Sequence, residues 1–305
     1  MTPEPFVESR SAISTVISAV LVLGLIVTAT TMLHVHYIPA WKSDSECSHL
    51  TNVQADMSDL KFTIDILSAV LAVDPKSTVS MSTPIELGGG DIPIVGTTKS
   101  SGTLAVNVND CGIVVVARNE TATVYDSSAS ETDLAHLGAI YYHSRNNYYI
   151  DQMFECENGA LILVQDNRSL LKISPAIIIT KNATTSNISV AISAIKLIGE
   201  KRTISSNVVE EVMLTSNTSS KLFSSGDNLF NVSNMNITMY TDYTDAWGNY
   251  FNATARNAGL GYGSSNDYTI TSDVNSVTLS VDGRTGEDIG LHVNRIVIDA
   301  SVGNL

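Results

Sequence analysis

The sequence predicts an α+β fold that is mainly β. A long N-terminal helix, transmembrane and then amphipathic, leads into a β-sandwich-like antiparallel head with one additional short helix. Three observations predict this. No Asp, Glu, Lys or Arg occurs from Ser11 to Trp41. A run with apolar residues at alternating spacings of three and four follows. From Ser77 onward, short β-branched runs alternate with turn residues.

The first element is the apolar segment. Ala12–Leu33 consists mostly of Val, Leu, Ile, Ala and Thr, long enough as a helix to cross a hydrocarbon core of roughly 30 Å. A helix satisfies its own backbone there. Tyr37 and Trp41 stand where an interfacial aromatic belt is expected, and Pro39 between them predicts a kink or an end of the helix. A cleaved secretory signal would have an apolar core of about 7–15 residues and a small-residue cleavage site. This run is longer, and His34, Tyr37, Pro39 and Trp41 make a poor cleavage region. One cation on each side, Arg10 and Lys42, gives little orientation signal. Nearly the whole polar chain follows the span, which places the N-terminus in the cytoplasm and the head outside.

The second element carries a seam. Leu50, Val53, Met57, Leu60, Ile64, Leu67 and Leu71 fall along one face of a helix, with Asp56, Asp59, Lys61 and Asp65 off it. Asp74-Pro75 ends the helix, because the residue before proline disfavours helical dihedrals. The seam would pack either on the chain's own β domain or against other copies as a short coiled coil.

Strands are expected at 103–108, 112–117, 121–125, 160–165, 173–180, 186–197, 208–215, 234–241, 268–271, 274–281 and 291–301, with a hairpin of 137–143 and 147–153 around Ser144-Arg145-Asn146. Thr244–Ala258 reads as the additional helix, with Trp247, Tyr250, Phe251 and Ala255 on one side and Gly259 as its cap.

The net charge of −14 and the lack of any basic cluster argue against nucleic-acid binding, which needs Lys and Arg to displace phosphate counterions. Cys47, Cys111 and Cys156 fit no zinc or iron–sulfur spacing and read as buried thiols or one disulfide. His34 and His36, with Cys47 and His49, are the nearest thing to a metal set but read as interfacial polar groups. Asp91, Asp110, Asp151 and Asp273 follow no EF-hand spacing. Gly88–Gly90 lacks the Lys-Ser/Thr of a phosphate loop, and Gly259–Gly263 reads as a turn. No catalytic residue, metal site or cofactor is predicted. A membrane-tethered hydrolase would need acids or a nucleophile gathered in a cleft. Asn-X-Ser/Thr sequons occur at Asn119, Asn167, Asn182, Asn187, Asn217, Asn231, Asn236 and Asn252. Composition alone supplies about five, so the motif is weakly specific, but all lie on the expected outer side as candidate N-glycosylation sites.

Arg10-Ser11-Ala12-Ile13-Ser14-Thr15-Val16-Ile17 resembles the start of archaeal type IV pilins and archaellins. The resemblance implies a short leader, removed on the inner face by a prepilin-type peptidase that leaves the apolar helix on the mature chain. Carried over, Arg10 and Ser11 end the leader and Ala12 begins the mature protein, or the cut falls after Ala12. This leader is acidic, with Glu4 and Glu8, and the span carries Pro39 and two histidines, unlike a smooth filament-core helix. His136–Tyr142, Tyr148–Gln152 and Ala246–Phe251, leading to Ala258-Gly259-Leu260, resemble a broader group of archaeal secreted proteins with pilin-like N-termini. The resulting plan is a leader at 1–11, a transmembrane helix at 12–41, an amphipathic helix at 42–74 and an extracellular β-rich domain at 75–305. Its expected role is that of a cell-surface protein, a subunit or minor component of a pilus-like filament used in adhesion. The alternative is a single-pass surface protein that never polymerises.

Overall fold

A computed structural model describes residues 8–89, 91–92, 96–97, 100–128, 134–182, 184, 187–228, 231–263, 267–283 and 288–303; side chains are described from Thr15 on, except those of residues 91–92, 96–97 and 227–228. The protein is mainly β, with a long N-terminal helix, a β-sheet head and a short helix lying on the head.

The helix is continuous. α1 (Glu8–Met32) passes through a π-helical turn at Leu33–Tyr37 into α2 (Ile38–Val73). Pro39 neither ends nor breaks it. Proline offers no N–H to the preceding turn and its ring crowds the carbonyl four residues back. The wider π turn, in which the Ile38 N–H bonds to the Leu33 carbonyl, lies just before it. α2 stops at Asp74, whose backbone is extended ahead of Pro75.

Three sheets make the head. The first is mixed, in the order β1 (Ser80–Glu86), β14 (Val209–Ser224), β18 (Ile289–Val302), β12 (Ile188–Ile198) and β11 (Ile177–Lys181). β12 and β18 run parallel, in unbroken register from Ile188↔Ile289 to Ile198↔Asp299. The second is antiparallel: β10 (Arg168–Ile173), β9 (Ala160–Gln165), β8 (Met153–Glu157), β7 (Ala139–Arg145), β4 (Ser101–Val106) and β13 (Arg202–Ser206). The third, also antiparallel, is β16 (Tyr268–Asp273), β17 (Ser276–Asp282), β15 (Asn234–Tyr240), β5 (Gly112–Arg118) and β6 (Thr123–Asp126). A two-residue pair, β2 (Asp91–Ile92) and β3 (Gly96–Thr97), stands apart, and α3 (Ser225–Asn228) is one turn.

Two hydrophobic cores share the first sheet. The basal core joins the α2 seam to Ile85, Leu104, Tyr142, Phe154, Leu214 and Ile298. The distal core joins the third sheet to α4 (Thr244–Asn257), which lays down Ala246, Trp247, Tyr250, Phe251 and Ala255. In β12, Ile188, Val190, Ile192 and Ala194 face the distal core, whereas Ile195 and Leu197 face the basal one. In β18, Ile289, Leu291 and Val293 are distal, and Ile296, Ile298 and Ala300 are basal. Alternate residues point to opposite faces of a sheet, so this change of phase means that the sheet covers one core with each face.

Several boundaries differ from expectation. Asn147–Met153 is not the second strand of a hairpin; β8 begins at Met153, and 146–152 form a loop. Its backbone N–H groups are taken by side chains instead of a strand neighbour: Glu46 accepts from 147–149 and Asp151 from Asn146. The expected strand at 173–180 begins only at Ile177, as β11; Ile173 instead ends β10, a strand that was not expected, and Ser174-Pro175 separates the two, because proline cannot donate to a ladder. β14 runs to Ser224, well past Thr215, and absorbs the extra length in two bulges. The short helix has the expected cap: Gly259 adopts φ +80°, and the Leu260 N–H reaches back to the Ala255 carbonyl.

Candidate membrane anchor and helix–head junction

The long helix divides in two. From Thr15 to Tyr37 every side chain is exposed, including Val20, Leu21, Leu25 and Ile26. Several of its polar side chains bond within the helix. Thr28, Thr30 and Thr31 donate to carbonyls one turn back, and His34 Nδ1 lies 2.9 Å from the Thr30 carbonyl. Such back-bonding removes the cost of carrying hydroxyls through an apolar medium. By length and composition this half can cross a membrane. Tyr37 and Trp41 pack ring against ring at its exit, 6.0 Å apart. The side chains of Arg10, Ser11 and Ala12 lie outside those described; their backbone belongs to α1.

The second half is buried on the head. Leu50, Val53, Met57, Leu60, Ile64, Leu67 and Leu71 are at most 3% exposed, all within the basal core. The seam is therefore filled by the chain's own sheets and offers no apolar stripe to another copy. Phe62 and Ile66 occupy the outer face and remain half exposed.

Polar contacts fix the register between helix and head. Glu46, fully buried, accepts the backbone N–H groups of Asn147 (3.0 Å), Tyr148 (2.8 Å) and Tyr149 (2.7 Å). Lys42 donates to the Tyr148 hydroxyl at 3.3 Å and sits 4.8 Å from its ring centroid. His49 Nε2 meets the Tyr142 hydroxyl at 3.2 Å, with Glu86 3.8 Å from its other nitrogen. Burial lowers the His49 pKa, partly offset by Glu86 and Asp56, while burial raises that of Asp56. Asp56 accepts the Glu86 N–H at 3.0 Å, and Thr63 meets Thr83 at 3.1 Å. Replacing Glu46 with alanine strips three N–H groups of their acceptor. It is expected to cost about 2–4 kcal/mol and to speed hydrogen exchange at residues 147–149. Unchanged exchange there in the full-length variant would show that Glu46 is not what holds the loop.

The other candidate residues are not gathered into a site. His34 and His49 are about 22 Å apart along the helix, and no group of three or more metal-ligating side chains occurs among the described residues. Asp110 pairs with His136, Asp151 accepts from Asn146 and Asp273 from Val274, in separate turns, while the Asp91 side chain lies outside those described. All three cysteines are free thiols. Burial pushes the Cys111 thiol well up and Cys156 up to about 12, holding both in the unreactive protonated form.

The sequons spread over the head. Asn167 lies in the β9–β10 turn at φ +60°. Asn182, Asn187 and Asn231 are exposed and, with Thr180, Lys181 and Asp288, border one open cavity of about 640 Å³ at the distal end of the first sheet. Asn217 is exposed and donates to Asp299, and Asn236 is half buried on β15. Asn119 is half buried and accepts from the Thr121 and Ala122 N–H groups. Asn252 accepts from the Tyr268 hydroxyl.

The sequence reading missed a second polar cluster. Glu155 and Glu157, on β8, are both about 2% exposed. Glu155 accepts from Asn109 and the Tyr243 hydroxyl; Glu157 accepts from the Thr241 hydroxyl (2.7 Å) and from Trp247 Nε1. No lysine or arginine is among these partners. Burial raises both carboxyl groups, Glu157 to about 8, with Asp242 adding repulsion. Alternating Glu-Cys-Glu within a strand of apolar neighbours was the available signal.

Fold and junction together define a class: a β-sheet head carried on one continuous helix whose free half is of membrane-spanning length and apolarity. Within that class, the chain belongs to a family of unknown function, DUF7289, whose model matches residues 11–296. No curated protein and no solved structure matches it.

Proposed function

We propose that the protein is a pilin-like surface protein, anchored by its N-terminal helix with the N-terminus inside, that displays a glycosylated β head outside the membrane. The observation that carries this reading is the division of one continuous helix into a fully exposed apolar half and a half buried on the head. Such a helix holds a head at a fixed height above whatever its free half enters. That medium is lipid before assembly and would be a bundle of like helices after it. Because the seam is filled within the chain, polymerisation would not use it, whereas the apolar half is free to pack against like helices. The Arg10-Ser11-Ala12 motif supports removal of a leader by a prepilin-type peptidase, and the spread of sequons over the head supports glycosylation.

Mass spectrometry of the N-terminus of protein from its native membrane tests the reading. A start at Ala12 or Ile13 is expected, and Arg10→Glu should abolish processing. An intact Met1 would leave a static single-pass surface protein, and a start beyond Trp41 would overturn the anchor.

A further inference from the structure

We propose that the loop between β7 and β8 is a second membrane-contacting element, which seats Tyr148 and Ile150 in the headgroup region of the bilayer entered by the helix; this rests on the anchor reading above. Three observations lead to it. First, the loop is bolted to the helix close to its exit. Glu46 holds the N–H groups of Asn147, Tyr148 and Tyr149, and Lys42, the residue after Trp41, touches the Tyr148 hydroxyl and ring. Trp41 and Glu46 are separated by about 8 Å of helix rise, so the loop stands within a turn or two of the aromatic belt. Second, the loop sorts its side chains. Tyr149 packs toward the basal core, while Tyr148 and Ile150 on either side of it are 47% and 44% exposed. Third, the exposed set is continuous with the span. Tyr37 and Trp41 pack ring against ring, and the next residue, the half-buried Lys42, lies over the Tyr148 ring, so the two pairs follow one another along the helix. Amphipathic rings with a cation that can reach phosphate are the side chains that favour the membrane interface. The chemistry therefore selects lipid headgroups and the glycerol level beneath them as the occupant.

Seated this way, the head would have two points of support on the membrane. One helix alone lets a head swivel, whereas a helix and an adjoining loop set its tilt.

The test places tryptophans one at a time in the full-length protein, in phosphatidylcholine vesicles whose acyl chains carry bromine near the headgroup or, for the mid-span Leu25→Trp, near the bilayer centre, because bromine quenches only at close range. Trp41→Phe is the background; Trp247 is fully buried in the distal core and contributes a constant signal. Into it go Ile150→Trp, Leu25→Trp within the span, and Val274→Trp in the β16–β17 turn of the third sheet, which has no residue in the basal core. Quenching of Ile150→Trp is expected to exceed that of Val274→Trp several-fold, with blue-shifted emission. Equal weak quenching at both positions, with Leu25→Trp strongly quenched, would overturn the inference and leave the anchor standing. Weak quenching of Leu25→Trp as well would remove the anchor reading, and this inference with it.

Discussion

Truncation of Leu60 to alanine is expected to destabilise the full-length protein by about 2–5 kcal/mol. Leu60 is fully buried at the middle of the α2 seam, between Met57 and Ile64, and faces the basal core shared by the first and second sheets. The cost combines the lost transfer energy of the side chain with the cavity left behind. That cavity cannot collapse easily, because a rigid helix and paired strands line it. Phe62, two residues on, is half exposed on the outer face. Phe62→Ala is expected to change stability by no more than about 0.5 kcal/mol. Urea unfolding of both variants in the same detergent compares the two faces of one helix directly. A smaller effect at Leu60 than at Phe62 would mean that the helix does not sit on the head as described. A loss at Leu60 that shrinks as protein concentration rises would mean that the seam meets other copies.

The seam was legible in the sequence because a helix buried on one side must repeat its apolar residues with helical period, and Leu50 to Leu71 do. What the seam meets was not legible, since a sheet and a second helix ask for the same stripe. Most strands were found where β-branched residues run between turn residues, though β1, β13 and nearly all of β10 were missed, and strand partners were not found, because pairing between distant strands leaves no local mark. The parallel pair β12–β18 joins residues about a hundred positions apart. Its one trace is the change of phase from Ile188, Val190, Ile192 and Ala194 to Ile195 and Leu197, which signals a strand that changes its buried face. The β8–β9 hairpin could have been placed from Asn158-Gly159, whose positive φ values of 46° and 69° are what a two-residue turn requires. The loop after β7 was misread for a physical reason. Asn147 to Met153 looks like a strand, but a carboxyl group from a helix about a hundred residues earlier took its N–H groups. Long-range side-chain capping of that kind is invisible to any local pattern. The apolar half of the helix was the most legible feature, because fitness to cross a bilayer is itself a matter of length and composition.

The stability of the head is expected to fall as pH rises from about 4.5 towards 8, and Glu157→Gln is expected to remove most of that fall. Burial pushes the Glu157 carboxyl from an ordinary 4.5 up to about 8. Between those values the unfolded chain has released this proton and the folded chain still holds it. Unfolding therefore releases a proton, and stability declines with pH at no more than about 1.4 kcal/mol per pH unit from this group. The contribution is fully present below 4.5 and lost once the pH passes the folded value. Glutamine keeps an oxygen to accept from Thr241 and Trp247 Nε1, which tie the end of β8 to α4, and it cannot ionise. The variant should thus match the wild type near pH 4.5 and become the more stable of the two as pH rises. Glu155, also raised by burial, leaves a residual slope in the same direction. His49 acts with the opposite sign: its folded pKa is lowered, so its term is lost as pH falls below 6.5, and it is common to both proteins. Thermal unfolding across this range, read as the difference between variant and wild type, isolates Glu157. Parallel curves would show that Glu157 carries the same charge folded and unfolded, and that Thr241 and Trp247 donate to an anion.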